Sequence, residues 1–404
     1  MIRVPSPPAL AMLPTLAPDR ALPRDAAHAT LIGRAFLPAA NGPSPIVVRD
    51  GAVFDLTPVA VTVSELLNLP DPVRAVRSTP GLARLGSVAE LLGNSDEARR
   101  DPRRPWLLAP SDLQAIKAAG VTFVSSMLER VIEEQARGDP ARAESVRRAI
   151  VGIVGDNLSA VRPGSPEAAR VKDALIAQKA WSQYLEVGIG PDAEIFTKSQ
   201  PMSAVGTGAD IGIHPKSSWN NPEPEIVLAV AADGRVVGAT LGNDVNLRDF
   251  EGRSALLLGK AKDNTGSCAI GPFVRLFDDH YGIDDVRRAE LALRVEGDDG
   301  FVLDGASSMA AISRDPLDLA SQAIGANHQY PDGFVLFLGT MFAPTQDRLG
   351  PGQGFTHSVG DVVTVSTDSL GALVNRVKTS DTVAPWTMGA GALMRNLAGR
   401  GLLR

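Results

Sequence analysis

The sequence predicts an α+β protein: a small β-containing domain over residues 26–105, a helical connecting region over 106–185, and a larger mixed β domain over 186–404. Three observations predict it. Between residues 30 and 63, short β-rich runs are punctuated by the turn signals Asn41-Gly42 and Asp50-Gly51. Between 106 and 185, apolar residues recur at helical spacing. From about residue 186 the texture changes to short alternating apolar runs with many Gly and Pro. A chain of 404 residues suits two or three such units.

Taken in order, the first 25 residues, MIRVPSPPALAMLPTLAPDRALPRD, hold an apolar stretch broken by Pro. That break argues against a cleaved signal peptide and predicts a flexible extension. The charged, Pro-bearing NSDEARRDPRRPW (94–106) reads as a linker. SDLQAIKAAG predicts a helix capped by Ser111 and stopped by Gly120. SSMLERVIEEQARGD predicts another, with an apolar stripe at 127, 128, 131 and 132. SPEAARVKDALIAQKAWSQYLE reads as one helix, with Ser165 as cap and Pro166 at its first position. Further on, SRDPLDLASQAIG predicts a capped helix, HQYPDG a turn, and HSVGDVVTVSTDSLGALVNRVKT two strands joined by a turn.

Composition narrows the chemistry. A net charge of −6 argues against a nucleic-acid-binding surface. No apolar run reaches the roughly 18 residues expected of a membrane span. Cys268 is the single cysteine, which excludes internal disulfides and a cysteine-built zinc cage and points to a reducing cytoplasm. The five His residues (28, 214, 280, 328 and 357) show no HxH or HxxxH spacing. A metal site would therefore draw on carboxylates, which favour a hard cation such as magnesium, calcium or manganese.

The stretch NNPEPEIVLAVAADGRVVGATLGNDVNLRDFEG (220–252) supplies such carboxylates. Glu223 and Glu225 are two residues apart on a predicted strand, so both point to one face. A two-residue turn at Asp233-Gly234 sets Glu223 opposite Asp244 and Glu225 opposite Gly242. Directly opposed Cβ atoms are roughly 5 Å apart, so all three carboxylates reach one point. A divalent cation would relieve their repulsion. From spacing alone, three solvated acids on an exposed hairpin fit equally well.

These residues resemble the fumarylacetoacetate hydrolase superfamily, whose signature is a Glu-x-Glu strand followed by Asn-Asp-Val-Ser-x-Arg. Here the segments are Glu223-Pro224-Glu225 and Asn243-Asp244-Val245-Asn246-Leu247-Arg248, with Asn246 in place of Ser. The likeness continues through KAKDNTGSCAIGP (260–272), FLGTMFAP (337–344) and VGDVVTV, over roughly residues 186–395. The resemblance implies a mixed β-roll of several sheets, assembled as a homodimer or dimer of dimers. It implies Glu223, Glu225 and Asp244 as ligands of Mg2+ or Mn2+, with a 2-oxo acid substrate completing the coordination. Many hydrolases and decarboxylases of the superfamily carry Asn-Tyr-x-x-His-x-x-Glu, in which His and Glu activate water. In GVTFVSSMLERV (120–131) the corresponding positions are Phe123, Ser126 and Glu129, so the His is missing.

PDAEIFTKSQP (191–201), WNNPEPE and NDVNLRDFEGRSALLLGKAKDN further resemble the sugar-acid dehydratases of this superfamily. Those enzymes convert 2-keto-3-deoxy-pentonates of the D-xylonate or D-arabinonate type to 2,5-dioxopentanoate in oxidative pentose catabolism. The resemblance implies Glu194 and Lys262 as the acid/base pair, with Glu129 a further catalytic candidate. Thr340, Lys198 and Ser307 are the candidate substrate contacts, and Arg248 and Asp249 are expected to form an ion pair beside the metal loop. Two alternatives stand beside this expectation: an acylpyruvate-type C–C hydrolase and a non-catalytic 2-oxo acid-binding protein. The first predicts a water-activating dyad, and the second predicts Glu194 and Lys262 pointing away from the metal.

Overall fold

The computed structural model describes residues 13, 16–137, 139, 142–143, 161–177, 181–342 and 344–403. Its strands are β1 (Leu31–Leu37), β2 (Gly42–Arg49), β3 (Ala52–Asp55), β4 (Arg84–Ser87), β5 (Trp106–Leu108), β6 (Ala115–Gly120) and β7 (Glu194–Ser199). They continue with β8 (Asp210–Ile213), β9 (Asn220–Asn221), β10 (Pro224–Val230), β11 (Val236–Asp244), β12 (Asn246–Leu247) and β13 (Cys268–Leu276). The last are β14 (Glu290–Glu296), β15 (Val302–Ser308), β16 (Phe334–Phe337), β17 (Val362–Thr367) and β18 (Gly371–Thr379).

An 11-stranded sheet runs β4-β3-β2-β1-β13-β11-β10-β16-β6-β7, with β5 also paired to β1. A five-stranded sheet runs β15-β14-β17-β18-β8, and β9 pairs β12 in a short ribbon. Alternation along β10 sends Ile226 and Leu228 into the main core, where they join Leu291, Leu293, Val363 and Val365 of the smaller sheet. The opposite face of β10 carries Glu225 and Val227, and there Val227 packs with Ile116, Ile270 and Phe337. Both faces of β10 are thus packed with apolar side chains, and Glu225 lies near the start of the strand on the second.

The N-terminal strands share this sheet, because β1 pairs β13 with Ile32 opposite Val274. Residues 94–106, expected as a linker, are tied down instead. The Asn94 amide donates to the carbonyls of Asp101, Arg104 and Pro105 at 3.1, 3.0 and 3.0 Å, and β5, at the segment's end, pairs antiparallel with β1. Of the N-terminal extension, residues 1–12, 14 and 15 lie outside the described residues. The rest is held: Leu13 and Leu16 are buried against Ala372 and Val374, and both carboxylate oxygens of Asp25 accept from Arg275, at 2.7 and 2.6 Å.

Two helix expectations need correction. Residues 115–120 form β6, parallel to β16 with Ile116 opposite Val335. Pairing to β16 on one side and β7 on the other outweighs the weak helical preference of an Ala-rich run. The single helix expected over 165–186 is two, Pro166–Ala177 and Gln183–Ile189. Ser182 restarts the chain by accepting from the Tyr184 N–H at 3.2 Å. The Val124–Ala136 helix forms as predicted, burying Met127, Val131 and Ile132. The helix Pro316–Ala323 and the β17–β18 pair also match.

Candidate metal centre

The β10–β11 hairpin has the register expected from sequence, with Pro224 opposite Asn243 and Glu225 opposite Gly242. The turn differs from the expected two residues. Ala231 N–H donates to Arg235 O at 2.9 Å, closing a three-residue loop, and a bulge beyond Val230 restores the pairing. Outward of Pro224, Asp244 N–H donates to Glu223 O at 3.0 Å. The carboxylates of Glu223, Glu225 and Asp244 each offer an oxygen, and these oxygens lie within 4.8 Å of one another. All three residues are buried. Gly242 is required opposite Glu225, because a Cβ there would stand 2.2 Å from the Phe337 ring.

Lys262 enters this cluster from the helix Leu258–Lys262. Its ammonium lies 2.6 Å from Glu223 Oε2 and 3.0 Å from Asp244 Oδ2, and 5.7 Å from the centre of the Phe196 ring. Burial alone would lower its pKa, but Asp244 and Glu223 outweigh burial and raise it above the ordinary lysine value. Arg130 reaches the other oxygen of Glu223 at 2.5 Å. Burial would raise Glu223, yet these two cations hold it at about 2. Glu225 is relieved only in part, by the charge of Lys262 and the Gly339 N–H. Burial and the charges of Asp244 and Glu223 push its carboxyl well above the usual range, and its Oε2 accepts only the Gly339 N–H, at 2.6 Å. An oxygen-only donor set in which one carboxylate, Glu225, forms no ion pair with the described residues fits a hard divalent cation. No second group of three metal-ligating side chains occurs among the described residues.

The other sequence candidates fall at graded distances from this point. Glu194, at the start of β7, lines the same cavity, and burial raises its carboxyl pKa against the pull of Arg130 and Lys262. Gly120 sits opposite it across the β6–β7 pair, where a Cβ would collide with the Glu194 carboxylate at 2.1 Å. Thr340 and Ser126 also line the cavity. Lys198 is fully buried, pairs with Asp244 at 2.8 Å, and donates to the carbonyls of Val245 and Lys262 at 3.2 and 2.5 Å. Ser307 stands behind Thr340, where its hydroxyl accepts from the Met341 N–H at 3.3 Å. Glu129 is outside the cavity lining, 3.0 Å from Arg248.

Arg248 and Asp249 do not form the expected ion pair. Adjacent helical residues face different ways, so Arg248 pairs with Glu133 at 2.6 Å and stacks over Trp219 at 4.3 Å. Asp249 accepts from the Ser217 hydroxyl and the Ser218 N–H at 2.8 and 2.9 Å. Sequence reasoning missed Arg130 and Glu251, which also line the cavity. Arg130 bridges Glu133 at 2.8 Å and Glu251 at 3.2 Å. Burial pushes Glu251 up to about 7 despite the nearby Arg130 and Lys262 charges. The one signal in the sequence was helical spacing: Arg130 lies four residues after Ser126, one turn further on the same face. The space between these side chains is about 20 Å3, room for about one water.

Comparison with known proteins places this arrangement. The family described as fumarylacetoacetate (FAA) hydrolase C-terminal matches residues 177–378. A probable 2-keto-3-deoxyxylonate dehydratase of Haloferax volcanii is 29% identical over 270 residues, 66% of this chain and 87% of the relative. A 2-dehydro-3-deoxy-D-arabinonate dehydratase of Saccharolobus solfataricus is 28% identical over 185 residues, 46% of this chain and 58% of the relative. Among solved structures, the fold resembles that of a 2-keto-3-deoxy-D-arabinonate dehydratase complexed with magnesium and 2,5-dioxopentanoate. That likeness has a TM-score of 0.59 at 19% identity and covers 86% of this chain and 99% of the other.

Proposed function

The chain belongs to the fumarylacetoacetate hydrolase family, and from that premise we propose that it is a hydro-lyase acting on a 2-keto-3-deoxy-pentonate. The product is 2,5-dioxopentanoate and one water is released. The observation that carries this reading is the sharing of one buried cavity by Glu194, Lys262 and the three converging carboxylates. Glu223, Glu225 and Asp244 would hold Mg2+ or Mn2+. When bound, that cation supplies Lewis acidity toward the 2-oxo group and lowers the pKa of the C3 protons.

The remaining work falls to side chains. Glu194 takes a proton from C3; a carboxyl raised by burial is a stronger base once ionised. Lys262, held protonated by its acidic neighbours, gives a proton to the departing C4 hydroxyl. The C4–O bond breaks, the C3–H pair becomes the C3=C4 double bond, and water leaves. Loss of a C5 proton and return of one to C3 then moves the unsaturation to C4=C5. That enol takes a proton at C4 and becomes the aldehyde. Thr340 lines the same space with a hydroxyl available to the substrate carboxylate, while Lys198 and Ser307 hold Asp244 and the segment after Thr340 in place.

The hydrolase alternative needs an activated water. Ser126 stands in the position of the family's His, and the Arg248 guanidinium pairs with Glu129, so neither member of that dyad is poised as a base. Assembly as a homodimer or dimer of dimers, a cytoplasmic setting and a role in pentose oxidation complete the proposal. One assay tests it: protein and magnesium are incubated with 2-keto-3-deoxy-D-xylonate, its D-arabinonate counterpart, or an acylpyruvate. Semialdehyde from a pentonate is the expected product. Pyruvate from the acylpyruvate without semialdehyde would establish the hydrolase, and no turnover with retained binding would establish a binding protein.

A further inference from the structure

The cavity of about 20 Å3 is too small for a five-carbon acid, so part of its wall has to move. Part of that wall is sheet: β6, β7, β10 and β11 supply Gly120, Glu194, Glu225 and Asp244, which lie in paired strands. The remainder lies outside the strands: Ser126 and Arg130 come from the Val124–Ala136 helix, Gly339 and Thr340 from the chain after β16, and Glu251 and Lys262 from a segment of short turns. Arg248–Glu251 is one short helical turn, Ala255–Leu257 is a 3-10 turn, and Leu258–Lys262 is another short helix. Leu256 on this segment is 95% exposed, which makes it the least packed large apolar side chain described.

Glu251 occupies a special place on it. Its side chain lines the inner cavity and also an outer depression of about 520 Å3. That depression is formed by Glu134, Arg137, Tyr184, Arg253 and Leu256, among others. Glu251 is therefore the partition between the catalytic space and the solvent side, held shut by its 3.2 Å contact with Arg130. Arg137 and Arg253 are exposed at the outer rim, where they favour an anion. Arg253 is steadied over the Phe250 ring at 4.6 Å. A second depression, of about 430 Å3 and lined by Phe123, Ser125, Ala311 and Met341, shares no residue with the cavity lining.

We propose that residues 249–257, between the anchored Arg248 and Lys262, are the door by which a small carboxylate anion reaches the catalytic cavity, with Glu251 as its inner face and Arg137 and Arg253 at its mouth. The identity of the cargo rests on the dehydratase reading; the position of the door rests on the partition alone. Opening separates Glu251 from Arg130, while the strands that carry the three carboxylates stay paired.

Cys268, the single native cysteine, is buried, so an introduced surface cysteine can be labelled selectively. Leu256→Cys, carrying a bulky maleimide, should slow association of oxalate in the presence of magnesium at least fivefold and lower kcat/KM equally. Ala311→Cys with the same label, in the second depression, should change neither. An unaffected association rate in labelled Leu256→Cys, or a slowed one in labelled Ala311→Cys, overturns the proposal. Hydrogen exchange of the ligand-free protein tests the door directly. Peptides from 248–257 should exchange at least tenfold faster than those from 124–136, and equal protection overturns the proposal. If oxalate association slows as expected while no pentonate is dehydrated, the door stands and the reaction assignment fails.

Discussion

Lys262 holds its ammonium 2.6 Å from Glu223 Oε2, inside the set of oxygens that would bind a divalent ion. The two cations therefore repel across the shared carboxylates. Lys262→Met should raise Mg2+ affinity about fivefold to tenfold, the equivalent of about 1 kcal/mol. The same variant should lose at least ~100-fold in turnover, because the proton donor is gone. Titration calorimetry and the semialdehyde assay read the two effects separately; weaker metal binding would contradict the competition.

Burial and the charges of Asp244 and Glu223 disfavour ionised Glu225 when no ion is bound. Glu225→Gln should weaken Mg2+ binding by roughly a hundredfold, since a charged ligand becomes a neutral one. In EDTA the same variant should be as stable as the parent or more stable by about 1 kcal/mol, because buried repulsion is removed. Urea unfolding with and without metal checks both halves.

Arg248 is buried against Glu133 and Glu129. Arg248→Met should destabilise the fold by about 1–3 kcal/mol, because Glu133 loses one of two buried cationic partners and keeps Arg130. Adding Glu133→Gln to that variant should recover a measurable part of the loss. If the double variant is no more stable than Arg248→Met alone, the pairing does not carry the effect.

Glu251 sets a pH dependence whose sign follows from its raised carboxyl. Burial lifts it from the reference 4.5 to about 7, so the folded state holds the proton more tightly than the unfolded state does. The stability it contributes is complete below about pH 4.5 and is lost as pH rises through 7. In metal-free protein, melting temperatures between these pH values should fall for the parent and fall less steeply for Glu251→Gln, with the raised Glu194 and Glu225 carboxyls left to titrate. An unchanged slope in the variant would assign the pH effect to another group.

The convergence of Glu223, Glu225 and Asp244 was legible because it needs only strand alternation and one hairpin register, both local properties of residues 220–252. The strand at 115–120 was not legible. Its partner β16 lies more than two hundred positions away, and nothing inside an Ala-rich run announces that pairing. Arg130 and Glu251 escaped notice for a related reason: each looks like a solvated helix residue until the two helices meet over the cavity. Lys198 reads as the exposed end of a strand, yet Asp244 draws it into the interior. Side chains whose meaning depends on a distant element stay silent in a one-dimensional reading.

The order of the large sheet also decides what cutting the chain would do. A fragment confined to residues 177–404 keeps β13, β11, β10 and β16 but loses β1 from one flank and β6 from the other. Both margins would then present bare amides and carbonyls, a template for sticking to neighbouring molecules. Such a fragment should precipitate rather than act as a minimal enzyme, and co-expression of residues 1–176 in trans is the natural way to rescue it.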